Sequence, residues 1–169
     1  SWAEYFTKRF GKHQKIYLSG LSMGGATVLM TSGLELSPQV KGIISDCAFT
    51  SPKEVFTHVL KHMIHLPAFP IMQISNVLNQ KLAGYGLDDC NAAREVKNAK
   101  VPILFIHGTS DDFVPSIMSK RNFKSCKSDK KLILVDCTNH GFSTVKEKDF
   151  VMMYVAELNE NKNQMMLIK

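Results

Sequence analysis

Four short apolar segments, separated by segments of helical spacing, limit the fold more than any other feature of the chain. They are rich in Ile, Val and Leu, and they cover residues 15–20, 40–47, 103–108 and 132–137. Because their apolar residues follow one another instead of alternating with polar ones, each segment is typical of a strand buried on both faces of a parallel sheet. Segments with helical spacing lie around them, at residues 2–10, 23–34, 116–126 and 146–158. The alternation predicts an α/β fold, a parallel sheet with helices on both faces.

A long segment separates the second and third predicted strands. Pro52 suits the first turn of a helix, and apolar residues then recur at helical spacing until Pro67. A second helix is expected over residues 71–82, ahead of a glycine-containing turn. We therefore predict a helical cap insertion over residues 51–87, within a single domain of residues 1–169.

Composition excludes several classes of protein. The 169 residues are 44% hydrophobic, as expected for one globular domain, and no apolar run approaches the roughly 18 to 20 residues of a membrane span. The net charge of +6 is scattered in small groups without interleaved aromatic residues, which argues against nucleic-acid binding. The four cysteines form no C-x-x-C pair, and the start shows no signal-peptide pattern. We expect a cytoplasmic protein with reduced thiols and no membrane or nucleic-acid partner.

Residues 20–24, GLSMG, match the G-x-S-x-G pattern of a nucleophile elbow. An apolar strand leads into the motif and a helical segment leads out of it, which is the context that the motif requires. We expect the tight turn to strain the backbone of Ser22 and to need Gly20 and Gly24, because a Cβ atom at either position would collide there. The Ser22 hydroxyl would then project above the sheet at a helix N-terminus, where negative charge is favoured.

A serine nucleophile needs a base, and the base needs an acid to orient it. Asp111 follows the third predicted strand in the sequence HGTSD, and His140 follows the fourth in NHG. The carboxyl ends of parallel strands meet at one edge of the sheet, where open α/β folds keep their ligand sites. The chain order is therefore serine, aspartate, histidine, the order of α/β-hydrolases.

Other residues compete for these roles. Asp112 adjoins Asp111, and Asp46 ends the second predicted strand, so either could be the acid. We expect His107 to hold the acid loop by hydrogen bonds instead of acting on the substrate. A further set of polar residues recurs at helical spacing in the cap: Glu54, His58, His62 and His65. A polar helix face is the favoured interpretation of this set, and a metal site is the alternative.

The three motifs around Ser22, Asp111 and His140 resemble the α/β-hydrolase superfamily, in particular bacterial serine hydrolases allied to prolyl-oligopeptidase-like and acyl-esterase enzymes. The H-G-x-x-D spacing of that family selects Asp111 over its neighbour Asp112. The resemblance implies that Ser22 is the nucleophile, His140 the general base and Asp111 the acid. It also implies an oxyanion donor at the N–H of Met23 and a small-molecule ester substrate, with no cofactor and no metal.

The resemblance also shows what is missing. The family places four strands before the nucleophile strand, whereas here only one helix precedes it, and no loop upstream of Ser22 matches the one that supplies the second oxyanion donor. We expect the C-terminal part of a longer hydrolase, with strand 15–20 as an apolar edge open to a complementing chain or to self-association. A natural minimal protein and a different three-layer fold remain as alternatives. In function, a dormant fragment, a peptidase and a thioesterase are the alternatives to an esterase.

Overall fold

A computed structural model describes residues 2–11 and 13–160; the remaining residues of the predicted 1–169 domain lie outside the described part. The described chain forms a parallel sheet of four strands in the order β1-β2-β3-β4. The strands are β1 (Ile16–Leu21), β2 (Val40–Asp46), β3 (Ile103–Gly108) and β4 (Lys130–Val135). The predicted α/β fold class is confirmed.

Eight α-helices and a short 3-10 helix accompany these strands in the described part of the chain. They are α1 (Trp2–Phe10), α2 (Met23–Thr31), α3 (Pro52–His62), α4 (Ala68–Ala83), α5 (Ala92–Glu95), the 3-10 helix (Val96–Asn98), α6 (Ser116–Ser125), α7 (Ser143–Lys146) and α8 (Lys148–Glu160). The predicted segments 2–10 and 116–126 agree with α1 and α6 to within one residue. The predicted segments 23–34 and 146–158 correspond to α2 and α8 with shifted ends.

Successive residues of the central strands bury their side chains on opposite faces of the sheet. Ile43 and Phe105 pack with Leu29 of α2 on one face. The side chains of Ile44 and Leu104 lie on the other face, in a second cluster with Val151 and Tyr154 of α8. All six residues of β3 are buried, which explains why these strands are apolar along their whole length.

The fourth strand lies two residues earlier than predicted. Its ladder with β3 begins at Ile103↔Lys130 and ends at Gly108↔Val135. The prediction extended the strand to Cys137, which has a φ of 51° and so lies outside the β region. The apolar character of a segment therefore did not locate the point where strand pairing ends.

The segment between β2 and β3 carries α3 and α4. The Ser51 hydroxyl accepts a hydrogen bond from the Glu54 N–H, and Pro52 occupies the first turn of α3. The second helix starts at Ala68, earlier than the predicted residue 71, although Phe69 has non-helical dihedrals. It ends at Ala83 and is capped by Gly84, whose φ of 80° is the left-handed conformation that glycine adopts without strain.

Strand β1 lies at one end of the strand order and pairs with β2. Helix α1, which precedes β1, has no buried residue among residues 2–10. Its exposed aromatic side chains are Trp2, Tyr5, Phe6 and Phe10. Within the described ranges, none of the helices has the length and apolar character required to cross a membrane.

Candidate active site

Ser22 lies in the turn between β1 and α2, with a φ of 53° and a ψ of −111°. An L-residue rarely adopts this conformation, and the surrounding contacts must hold it. The Ser22 N–H donates to the Asp46 carbonyl oxygen at 2.8 Å, which fastens the turn to the end of β2. The expected strained elbow is therefore present at the carboxyl edge of the sheet.

The glycines around Ser22 differ in how much space they have. A Cβ atom at Gly20 would lie 2.2 Å from the Gly24 carbonyl oxygen, and one at Gly25 would lie 2.8 Å from the Asp46 carbonyl oxygen. A Cβ atom at Gly24 would meet no atom within 4 Å. The expectation that Gly20 and Gly24 both relieve a collision is thus correct for Gly20 and wrong for Gly24. The second crowded position is Gly25, because it faces the end of β2.

His140 lies in the loop after β4, and its imidazole spans the gap between the other two predicted residues. Its Nε2 is 3.0 Å from the Ser22 Oγ, and its Nδ1 is 2.7 Å from Asp111 Oδ2. The His140 side chain is 29% exposed, whereas that of Asp111 is fully buried. The Phe113 ring lies against the imidazole, with the ring centres 5.1 Å apart. The three side chains are therefore connected by hydrogen bonds in the order Ser22, His140, Asp111.

The carboxylate of Asp111 is held by the loop that follows it. Its Oδ1 accepts hydrogen bonds from the backbone N–H groups of Phe113 at 3.1 Å and Val114 at 2.8 Å. Burial by itself would raise the pKa of this carboxyl, but hydrogen bonds from His107, the Val114 N–H and His140 lower the pKa below its ordinary value. Asp111 is therefore ionised at neutral pH, as an acid that orients and stabilises an imidazolium must be.

His107 is fully buried behind this carboxylate. Its Nε2 lies 2.7 Å from the Val114 carbonyl oxygen and 3.2 Å from Asp111 Oδ2, the oxygen that His140 also contacts. Its Nδ1 lies 2.6 Å from the Ser119 hydroxyl on α6. The expected loop-holding role agrees with the contact to Val114. The contact to Asp111 was not predicted. A histidine four residues before an acid, where a strand passes into a loop, could have indicated it.

The alternative acids lie elsewhere. Oδ2 of Asp46 accepts hydrogen bonds from the backbone N–H and hydroxyl of Thr144, so this carboxylate fixes the start of α7. Asp112 is exposed, and its carbonyl oxygen is 2.9 Å from His58 Nε2. Geometry therefore separates Asp111 from both alternatives. The H-G-x-x-D spacing indicated this choice for Asp112 only.

The polar set of the cap, for which a polar helix face and a metal site are the two interpretations, lies on and after α3. The His58 and His62 rings pack against each other with centres 4.7 Å apart, and Glu54 pairs with Arg121 at 2.6 Å. These residues border an open surface cleft of about 550 Å³ between α3 and α6. The Glu54 carboxylate of the set is therefore paired with a cation of α6.

Comparison with known protein families matches residues 1–159 to the prolyl oligopeptidase family. The chain belongs to that family. YqkD of Bacillus subtilis, named as an uncharacterized protein, is 26% identical to it over 148 residues, which are 88% of this chain and 48% of YqkD. This chain therefore spans about half the length of that relative.

Solved structures show the same fold at low sequence identity. The esterase domain of a Rhodothermus marinus protein matches with a TM-score of 0.64 and 20% identity, over 94% of this chain and 65% of that domain. An acylaminoacyl peptidase of Pyrococcus horikoshii matches with a TM-score of 0.69 and 17% identity, over 96% of this chain and 27% of the peptidase. These likenesses confirm the fold that the α/β-hydrolase resemblance implied.

In this member of the prolyl oligopeptidase family, Ser22 is the residue that directly precedes α2. Met23 is the first residue of that helix. The first N–H groups of a helix have no acceptor within it, and they carry the positive end of the helix dipole. The Met23 N–H is thus suited to the predicted role of an oxyanion donor.

One residue beside the site was not predicted to lie there. Cys47 follows β2 directly, is fully buried and has a φ of 41°. Its sulfur, the Asp111 carboxylate and the His140 imidazole offer atoms that all lie within 4.8 Å of one another. The position of Cys47 at the carboxyl end of a central strand could have placed it with the other site residues.

Proposed function

We propose that this chain is a serine hydrolase that cleaves carboxylic esters through an acyl-enzyme intermediate, with Ser22 as nucleophile, His140 as base and Asp111 as acid. The observation that carries the proposal is the hydrogen-bonded series of the three side chains, with separations of 3.0 and 2.7 Å. Nucleophile, base and orienting acid at such distances are the arrangement that activates a serine hydroxyl. Membership of the prolyl oligopeptidase family supports the proposal.

The proposed reaction has two stages. In the first, the Ser22 oxygen attacks the acyl carbonyl while His140 Nε2 takes the hydroxyl proton, and Asp111 stabilises the imidazolium. The Met23 N–H stabilises the oxyanion of the tetrahedral intermediate. Collapse breaks the bond to the alcohol, which leaves with the proton from His140. In the second stage, water attacks the acyl-enzyme with the same base, which frees the carboxylic acid and restores Ser22.

Hydrolysis of a chromogenic short-chain ester tests this proposal. We expect Ser22→Ala to lower kcat/KM by about 10⁴-fold or more, because the covalent route is lost. Ser110→Ala is the matched control, since Ser110 is exposed on the loop that carries Asp111 and lies outside the proposed site. Equal activity of the Ser22→Ala and wild-type proteins would contradict the proposal. A folded wild-type protein without activity would favour the dormant fragment.

A peptidase is the second candidate, since the family is named for prolyl oligopeptidase and the Pyrococcus horikoshii structure is that of an acylaminoacyl peptidase. An ester, a thioester and an anilide of the same acyl group separate the candidates. The esterase proposal predicts the highest kcat/KM for the ester. A comparable or higher value for the anilide would establish a peptidase, and one for the thioester would establish a thioesterase.

We also propose that a complementing chain pairs with the edge of the sheet at residues 15–20. The supporting observations are the position of β1 at the end of the strand order and the exposed aromatic side chains of α1. The chain also covers only 65% of the Rhodothermus marinus esterase domain. Light scattering on the purified chain tests the proposal. A monomer with full esterase activity would contradict it, and an active dimer would identify the complementing chain as a second copy.

A further inference from the structure

Cys47 is a nucleophilic group beside the site that the proposed mechanism does not use. Its side chain is fully buried, and its backbone N–H donates to the Ile106 carbonyl oxygen at 2.9 Å, which fixes the residue at the end of the central strands. The backbone groups of Ser22 and Gly141 lower the pKa of this thiol, against the larger effect of burial, which raises it. The sulfur thus lies close to the side chains of Asp111 and His140.

The sulfur belongs to a group of three potential ligands. One atom each from Cys47, Asp111 and His140 lies within 4.8 Å of the other two. Within the described part of the chain, these are the residues that form a cluster of three or more His, Cys, Asp or Glu side chains able to hold a metal ion. Thiolate, imidazole and carboxylate bind zinc at about 2.0 to 2.3 Å, so neighbouring ligand atoms of a tetrahedral zinc ion are about 3.3 to 3.6 Å apart. Shifts of about 1 Å at the longest separation would close the group around an ion.

Charge and chemical type also fit such an ion. One thiolate and one carboxylate neutralise the two charges of a divalent cation, which a buried site requires. Sulfur and imidazole ligands favour zinc and similar ions over magnesium or calcium, which prefer oxygen. Burial and the neighbouring Asp46 raise the pKa of the Cys47 thiol to about 12, so the ion must displace the thiol proton to bind.

We propose that Cys47, Asp111 and His140 form an inhibitory site for a thiophilic divalent cation such as Zn²⁺. The ion approaches past the His140 side chain, which is 29% exposed. A bond forms from the Cys47 sulfur to the ion, and the thiol proton leaves to solvent. The ion binds Nδ1 of His140, the ring atom that faces Asp111, and the proton of that nitrogen moves to Nε2.

Metal binding removes the base. Because Nε2 then carries a proton, it cannot accept the proton of the Ser22 hydroxyl. The inhibitory consequence rests on the proposed function, because it requires His140 to be the base. Binding of the ion does not, since it depends only on the three ligands. The two parts can therefore fail separately.

Metal binding is measured first on the Ser22→Ala protein, which keeps all three ligands and needs no activity. Addition of Co²⁺ is expected to produce a sulfur-to-cobalt charge-transfer absorption that saturates at one ion per chain. The band should disappear in Ser22→Ala/Cys47→Ser and persist in Ser22→Ala/Cys137→Ser, because Cys137 is exposed and lies outside the group. Circular dichroism checks that each variant is folded. A folded Ser22→Ala protein without the band, or a band unchanged by loss of Cys47, would overturn the proposal.

Inhibition is then measured on the wild-type enzyme with buffered Zn²⁺ and a chromogenic ester. We expect loss of activity that a chelator reverses, and a roughly tenfold or higher Zn²⁺ concentration for half inhibition of Cys47→Ser. Full activity at saturating metal would overturn the inhibitory role. Should Co²⁺ bind at Cys47 while the metal-free enzyme hydrolyses none of the test substrates, the metal site stands and the proposed function fails.

Discussion

The two glycines of the G-x-S-x-G motif provide a matched pair of substitutions with opposite expected outcomes. In Gly20→Ala, the new Cβ would lie 2.2 Å from the Gly24 carbonyl oxygen and 2.6 Å from the Gly25 nitrogen. An ordinary contact begins at 3.4 Å, so the backbone at the start of α2 must move by about 1.2 Å. Because both contacts are backbone atoms, no side-chain rotation can relieve them. The motion would displace Ser22 and the Met23 N–H.

A misplacement of about 1 Å at a reacting group lowers the rate about 100-fold. We therefore expect kcat/KM for ester hydrolysis to fall by about that factor in Gly20→Ala, with a loss of about 1 to 3 kcal/mol in the free energy of unfolding from overpacking. Gly24→Ala should keep the wild-type rate, because its Cβ meets no atom within 4 Å. Gly24 lies within α2, so alanine there should also increase stability by about 0.5 to 1 kcal/mol.

Steady-state kinetics and thermal unfolding of the two variants test this reasoning. The geometry of the elbow requires the rates to differ by about two orders of magnitude. Equal rates for Gly20→Ala and Gly24→Ala would refute the account of the turn. So would a severe loss in Gly24→Ala, which the available space does not explain.

Four further predictions concern the groups around the site. Asp111→Asn should lower kcat by about 10³ to 10⁴-fold because the imidazolium loses its stabilising charge, whereas Asp112→Asn should have little effect on steady-state kinetics. The lowered pKa of Asp111 stabilises the native state above pH 3.8, the ordinary pKa of this group, and the stabilisation is lost as the pH falls through the lower native pKa. In denaturant titrations, the free energy of unfolding of the wild type should therefore fall more steeply below pH 3.8 than that of Asp111→Asn. His107→Leu should lower the free energy of unfolding by about 1 to 3 kcal/mol, because it leaves buried acceptors unpaired, and it should shift the acid limb of the kcat/KM pH profile. His107→Gln should recover part of the stability and part of the shift. An unchanged profile in His107→Leu would assign that histidine to structure alone. Iodoacetamide at pH 8 should modify exposed Cys137 before buried Cys47, whose pKa is raised to about 12 by burial first and then by Asp46; peptide mass spectrometry that finds the reverse order would contradict the burial of Cys47.

Sequence alone predicted the sheet and the positions of its strands because buried parallel strands are apolar along their whole length. It also predicted that Ser22, Asp111 and His140 would meet, since each lies in the turn or loop after a strand and the carboxyl ends of parallel strands share an edge. The end of β4 was missed, because pairing with β3 and not apolar character decides where the strand stops.

The contacts behind and beside the three residues were less accessible to sequence reasoning. Gly24 matches the motif as well as Gly20 does, and only coordinates reveal which of the two is crowded. His107 and Cys47 lie at the carboxyl ends of β3 and β2, so their location at the site edge was readable. Their distances to Asp111 depend on backbone dihedrals and loop paths that periodicity does not encode.

The central claim is that His140 and Asp111 make Ser22 a nucleophile, and a fluorophosphonate probe tests it most directly. The account predicts one covalent adduct per chain, located at Ser22 by peptide mass spectrometry, in wild type and in Ser110→Ala. Labelling should be abolished in Ser22→Ala and strongly slowed in His140→Ala. An adduct on another residue, or labelling of folded His140→Ala at the wild-type rate, would contradict the claim.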